Sequence, residues 1–171
     1  MTWHWEGSGG FVTIGDLHLW ETIEVTITND RVLPADVELV ATMRRGHYEV
    51  DKLVCSRKKN GPEITGELIR SLPVGRLLQQ SAIKANTLFG SPYADAAKIR
   101  EQGPTDESLR VVAQVYRLAL AVRDDPTAAV ASGLQLPRPT ASRWVKTARQ
   151  RGFLGPTEER RAGERKRKGK S

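Results

Sequence analysis

The stretch Ala128–Leu154, AAVASGLQLPRPTASRWVKTARQRGFL, decides how the second half of the chain is read. Within it Ala141, Trp144, Val145 and Ala148 stand at i, i+3, i+4 and i+7, the spacing of one buried helical stripe. The opposite face carries Arg138, Ser142, Arg143, Lys146 and Arg149, and no acidic residue stands between Pro137 and Leu154. Pro139 falls in the opening turn, where its missing N–H costs nothing, so a helix is expected from Pro139 to Gly152. Arginine forks onto guanine and serine bonds several base edges, so this face has the side chains that reach bases and phosphates in a major groove.

Two further helices are expected upstream. Thr105 caps the first, with Asp106 and Glu107 in its opening turn, and Val112, Val115, Ala119 and Val122 recur on one face. Asp125 and Pro126 open a short second helix that ends near Gly133, and Leu134-Gln135-Leu136 forms the turn into the third.

This segment resembles the helix-turn-helix core of bacterial and phage regulators. Apolar residues stand at Val130, Leu134, Leu136 and Trp144, with small Ala131 and Ala141 where the helices cross, and TASRWV, residues 140 to 145, is a common form of the recognition helix in that group. One position departs: Gln135 stands where the family has glycine, and a left-handed backbone there costs a non-glycine residue roughly 1 kcal/mol. The resemblance implies a sequence-specific double-stranded DNA-binding protein. Arg138, Ser142 and Arg143 would lie near bases, Thr140 would join them, and Lys146, Arg149 and Arg151 would hold phosphates. One such unit reads a half-site, so a homodimer is expected, with the N-terminal domain as the candidate for making it.

Charge points the same way. Of the net +7, residues 137–154 carry +5 and residues 155–171 carry +4, leaving −2 for residues 1–136. A basic C-terminal fifth on a nearly neutral body suits a polyanion, because phosphate neutralisation supplies most non-specific affinity. The segment RRAGERKRKGKS has almost nothing apolar to bury and is expected to be disordered, adding salt-dependent affinity without sequence information.

The first half reads as strands. His18–Thr28 alternates from Ile23 onward, Val37, Leu39 and Ala41 form a second run, and Tyr48–Cys55 a third, with Gly46 in a hairpin loop. Asn60-Gly61-Pro62 closes this part. Helical pieces follow at Gly66–Ser71 and Val74–Ala85, divided at Leu72-Pro73. Residues 86–104 have linker composition, with a short helix from Tyr93 to Glu101. The expected class is therefore α+β: a small strand-rich domain with a helical pair over 11–85, a linker over 86–104, a three-helix helix-turn-helix domain over 105–155, and a basic tail over 156–171.

Several classes are disfavoured. MTWHWEGSGG lacks a secretory signal, and no run reaches the roughly 18 apolar residues of a membrane span, so a cytoplasmic, nucleoid-associated protein is expected. Cys55 is the single cysteine and reads as a small buried hydrophobe on a strand. His4, His18 and His47 lack metal-ligand spacing with one another or with Cys55. No nucleophile elbow, phosphate-cradling loop or paired carboxylates is present, and Gly7, Gly9 and Gly10 do not follow a strand. No enzyme activity, cofactor or metal is expected. Trp3-His4-Trp5 reads as a frayed start or a patch on the edge of a core, with a partner-binding peptide as the alternative. Arg57-Lys58-Lys59 reads as a solvated turn, with contact to a DNA backbone as its alternative.

The chain as a whole resembles proteins of actinobacteria and their phages or plasmids that join a small strand-rich domain to such a C-terminal unit. ITGELIRSLPVGRLLQQ, residues 64 to 80, carries this likeness, and the excess of arginine over lysine, 18 to 9, fits a GC-rich genome. It implies a transcriptional regulator of a phage, plasmid or host, or alternatively a DNA-packaging or recombination accessory protein that uses the same helix-turn-helix.

Overall fold

Alternation of apolar and polar residues over the first 56 positions produces four antiparallel strands: β1 (Thr2–Ile14), β2 (Leu17–Thr28), β3 (Asp36–Arg44) and β4 (His47–Ser56), in the order β1-β2-β3-β4. The computed structural model describes residues 2–85 and 96–155, with the backbone alone at 157–158 and 161–164. It is an α+β protein in which this sheet precedes six helices among the described residues. Compact units span Met1–Phe89 and Gly90–Ser171.

In the sheet, register sets Val25 opposite Leu39 and Ile27 opposite Val37, so the buried residues of neighbouring strands fall in rows on one face. Arg45 and Gly46, both at positive φ, make the two-residue loop between β3 and β4. The sheet starts at Thr2, nine residues before the expected start of the domain at residue 11, with a strand ahead of the first expected one at His18–Thr28. Trp3 and Trp5 pair with Ile27 and Val25 and are half-buried, while the alternating His4 and Glu6 are exposed. The glycines that mask this alternation sit inside the strand: register shifts between Ser8 and Phe11, where Gly9 has φ 86°. Gly7 lies beneath the Trp20 ring, and a Cβ there would be 2.3 Å from it.

Helices α1 (Gly66–Ser71) and α2 (Val74–Ala85) follow, divided at Leu72-Pro73 as the sequence predicts. Thr65 caps α1 by accepting from the Leu68 N–H. Leu72 and Leu77 are buried with Val25, Ile27 and Val37 on the sheet, and the Trp20 indole donates to the Ala85 carbonyl at 3.1 Å, fixing the end of α2. Half-buried Cys55 packs against the same cluster. Lys58 is held rather than solvated: its ammonium donates to the carbonyls of Asp30 and Leu33. The Asp30 carboxylate in turn accepts from the N–H groups of Val32 and Leu33 and the indole of Trp3.

The second unit contains α3 (Ala96–Gln102), α4 (Asp106–Ala121), α5 (Pro126–Gly133) and α6 (Arg138–Gln150). Its core joins Leu109, Val112, Val115 and Ala119 of α4 to Val130, Leu134, Ala141, Trp144, Val145 and Ala148. Val122 is buried as well. Part of the expected linker is structured: α3 contributes buried Ile99 to this core, so the unit packs four helices where the sequence predicts three. Ile99 is the single large apolar residue of α3, too little to signal a packed helix against the Gly and Pro around it. The expected helical residues 93–95 and linker residues 86–92 lie outside the described residues. In the tail, expected to be disordered, β5 (Thr157–Glu158) pairs antiparallel with β6 (Arg161–Glu164). A hairpin needs only local backbone pairing and no core, so composition does not exclude it. The rest of 156–171 lies outside the described residues. Among the described residues no helix is long and apolar enough to cross a membrane.

Candidate nucleic-acid interface

The Asp125 carboxylate starts α5, accepting from the N–H groups of Thr127 at 2.9 Å and Ala128 at 3.0 Å, with Pro126 in the first turn. Gln135 makes the turn out of α5 with φ 51°, the left-handed backbone expected where a glycine would serve best. Its side chain accepts from Arg100 Nη1 at 3.2 Å, and the Leu136 N–H closes the turn on the Ala131 carbonyl at 2.8 Å. The chain then enters α6 at Pro137, which offers no side-chain cap, and Pro139 supplies a preset φ in the opening turn. Ala141, Trp144, Val145 and Ala148 are all buried, the stripe the sequence predicts, and this rotation of α6 decides which side chains face outward.

The sequence-predicted residues divide into two groups. Ser142, Arg143 and Lys146 are exposed, and their side chains have no hydrogen-bond or ion-pair partner among the described residues. Thr140 beside them is half-buried. The other three are engaged by their own chain. Arg138 is exposed, and its Nη2 donates to Asp125 Oδ2 at 2.8 Å. Arg151, at the helix end, donates to Asp106 Oδ1 at 2.8 Å and to the Pro104 carbonyl. Arg149 departs most from expectation. Its guanidinium lies over the Tyr116 ring at 4.9 Å and donates to the phenol oxygen at 2.6 Å, half-buried between α6 and α4. At three residues from Lys146 and four from Val145, position 149 falls at the border of the buried stripe, where a long side chain packs its stem inward.

Gln150 is a candidate that reading for cations alone passes over. It is exposed, unpartnered among the described residues, and stands four residues after Lys146 and seven after Arg143, on the same line of the helix. Helical spacing, applied to every polar position, finds it.

Asp125, the acid that faces Arg138, is already committed. The Asp125 carboxyl is held below the usual carboxylate range, first by the Ala128 N–H and then by Thr127 and Arg138, against the opposing effect of burial. The unpaired charge on the face is therefore positive, from Arg143 and Lys146. No group of His, Cys, Asp and Glu able to hold a metal ion occurs among the described residues.

Compared with known protein families, curated proteins and solved structures, the chain matches none.

Proposed function

We propose that this chain is a non-enzymatic, sequence-specific double-stranded DNA-binding protein in which α5 and α6 act as a helix-turn-helix. On this reading it is a transcriptional regulator of a phage, plasmid or actinobacterial host, working in the cytoplasm at the nucleoid. The observation that carries the reading is the outward face of α6, where Ser142, Arg143, Lys146 and Gln150 are exposed and unpartnered on a helix that contains no acid. An outer polar face is common to any surface helix, but one that carries cations and no acid matches what a helix seated in a major groove needs, donors for base edges and cations for phosphates.

Roles follow from the geometry. Arg143 and Ser142 take base edges near the start of the helix, with Thr140 beside them, and Lys146 and Gln150 follow along the groove wall. Arg138 and Arg151 bind phosphates, each exchanging an aspartate partner for the DNA backbone. Arg149 acts as a positioning residue that sets α6 against α4 through Tyr116. A single unit covers a half-site, so the working form is a homodimer made through the N-terminal unit.

Selection of bound duplexes from a random pool tests the reading. The expected result is an enriched palindromic motif with half-sites about 10 base pairs apart, one helical turn. Recovery of a pool no different from the input would overturn it.

A further inference from the structure

The two outer edges of the N-terminal sheet differ in their defences against strand addition. β4 carries a register shift opposite Val40 and Ala41, and Asp51, at that bulge, is gripped by Arg44 at 2.5 and 3.1 Å and by Thr42 at 2.6 Å. Lys52 beside it lies 3.8 Å from Glu38. Bulges and charges are the devices that blunt an edge strand. Over its first part β1 has no bulge and a single charged residue. From Thr2 to Ser8 its register with β2 is unbroken, it contains no lysine or proline, and among the described residues it pairs with β2 alone. Its one acid is Glu6.

We propose that the Thr2–Ser8 edge of β1 is the surface on which a second copy of this chain adds, antiparallel, about a twofold axis midway between Trp5 and the partner's Trp5. This supplies the contact for the homodimer of the reading above, and the strand-edge argument stands whether or not the chain binds DNA. In a continuous antiparallel sheet, directly opposed residues share a face, so a symmetric pairing must centre on a residue. Trp5 is the midpoint of the unbroken run, and centring there uses all of it before the bulge at Gly9.

Donor–acceptor complementarity selects the same centre. With Trp5 opposite the partner's Trp5, His4 faces the partner's Glu6 and Glu6 faces the partner's His4, two complementary pairs on the exposed side of the sheet. Centring on Glu6 would oppose two carboxylates, and centring on His4 would oppose two imidazoles. Within its own chain Glu6 already stands opposite Glu24, an unfavourable like-charge pair. The partner's His4, a donor in either protonation state, gives Glu6 a favourable neighbour on its other side. On the opposite side of the sheet the half-buried Trp5 meets the partner's Trp5 as a cross-strand aromatic pair.

The test is a double-mutant cycle read by sedimentation equilibrium on the full chain, with His4→Glu, Glu6→Lys and the combined variant H4E/E6K. Both positions are exposed, and thermal melting by circular dichroism verifies that each variant folds. His4→Glu places glutamates opposite each other twice per dimer and is expected to weaken dimerisation roughly tenfold, while H4E/E6K restores it to within about twofold of the natural chain. A dimer insensitive to His4→Glu, or one that H4E/E6K fails to restore, overturns this surface and leaves the homodimer standing. A natural chain that stays monomeric throughout a dilution series overturns both.

Discussion

Arg143 and Lys146 have their side-chain donors free, while Arg138, Arg149 and Arg151 each give at least one donor to a partner within the chain, so substitutions at these five positions should not behave alike. Arg143→Ala is expected to cost roughly 1–3 kcal/mol on the selected duplex and little on random DNA, measured by titration of both. Equal loss on the two would remove Arg143 from base readout. Lys146→Ala should weaken binding uniformly and lower the slope of log affinity against log salt by about 1. Gln135 offers a test of local strain. Replacing it with glycine relieves a left-handed backbone worth roughly 1 kcal/mol and forfeits one exposed hydrogen bond from Arg100, so thermal melting should show a small gain in stability. Asp125 and Asp30 both contribute to acid sensitivity. The Asp30 carboxyl, like that of Asp125, lies below its ordinary value, chiefly through the N–H groups of Val32 and Leu33. Each such carboxylate adds stability that is fully present above the unfolded value, near 3.9, and is lost as pH falls through the lower folded value. Melting temperature should therefore hold down to about pH 4 and drop below it, and Asp125→Asn, which keeps a capping oxygen, should make that drop shallower.

At the level of elements, the helices of the second unit were legible because their caps, prolines and apolar spacing agree. Thr105, Asp125 and Pro126 mark the starts, and the Ala141-Trp144-Val145-Ala148 stripe fixes the rotation of α6. The middle strands were legible from period-two alternation, and Leu72-Pro73 divided α1 from α2. β1 was hidden because Gly7, Gly9 and Gly10 interrupt its pattern. What demands glycine is tertiary: the Trp20 ring over Gly7 and the positive φ of the bulge at Gly9. Residue α3 position Ile99 was equally invisible as core, since one large apolar residue in a short helix sets no period. The direction of Arg149 was missed because charge suggested solvent where the phenol of Tyr116 offers both an acceptor and a ring face. Two element-scale predictions follow from these contacts. Trp144→Ala should destabilise the second unit by about 3–5 kcal/mol by emptying the α6 stripe, seen as a lowered melting transition. Gly7→Ala should lower the melting transition of the first unit, because its Cβ would meet the indole of Trp20.

Over the whole molecule, charge and fold are distributed in opposite senses. The first 136 residues hold −2 and most of the secondary structure, and the last 35 hold +9 in α6 and the tail. Removing residues 156–171 takes away seven basic and three acidic groups. The truncated chain is expected to select the same duplex motif with a shallower salt dependence, since phosphate contacts position without specifying sequence. Loss of the motif itself would move sequence readout from α6 to the tail.

The tryptophans divide between the units three to one. Trp3, Trp5 and Trp20 lie in or against the sheet, and Trp144 alone lies in the helical unit, buried in its core. Subtracting the fluorescence of Trp144→Phe from that of the natural chain isolates a single emitter directly behind the outward face of α6. Its wavelength is blue-shifted while the stripe stays dry and moves to the red when water enters. The intact chain thus carries its own optical channel for the melting of one unit, read without separating it from the other.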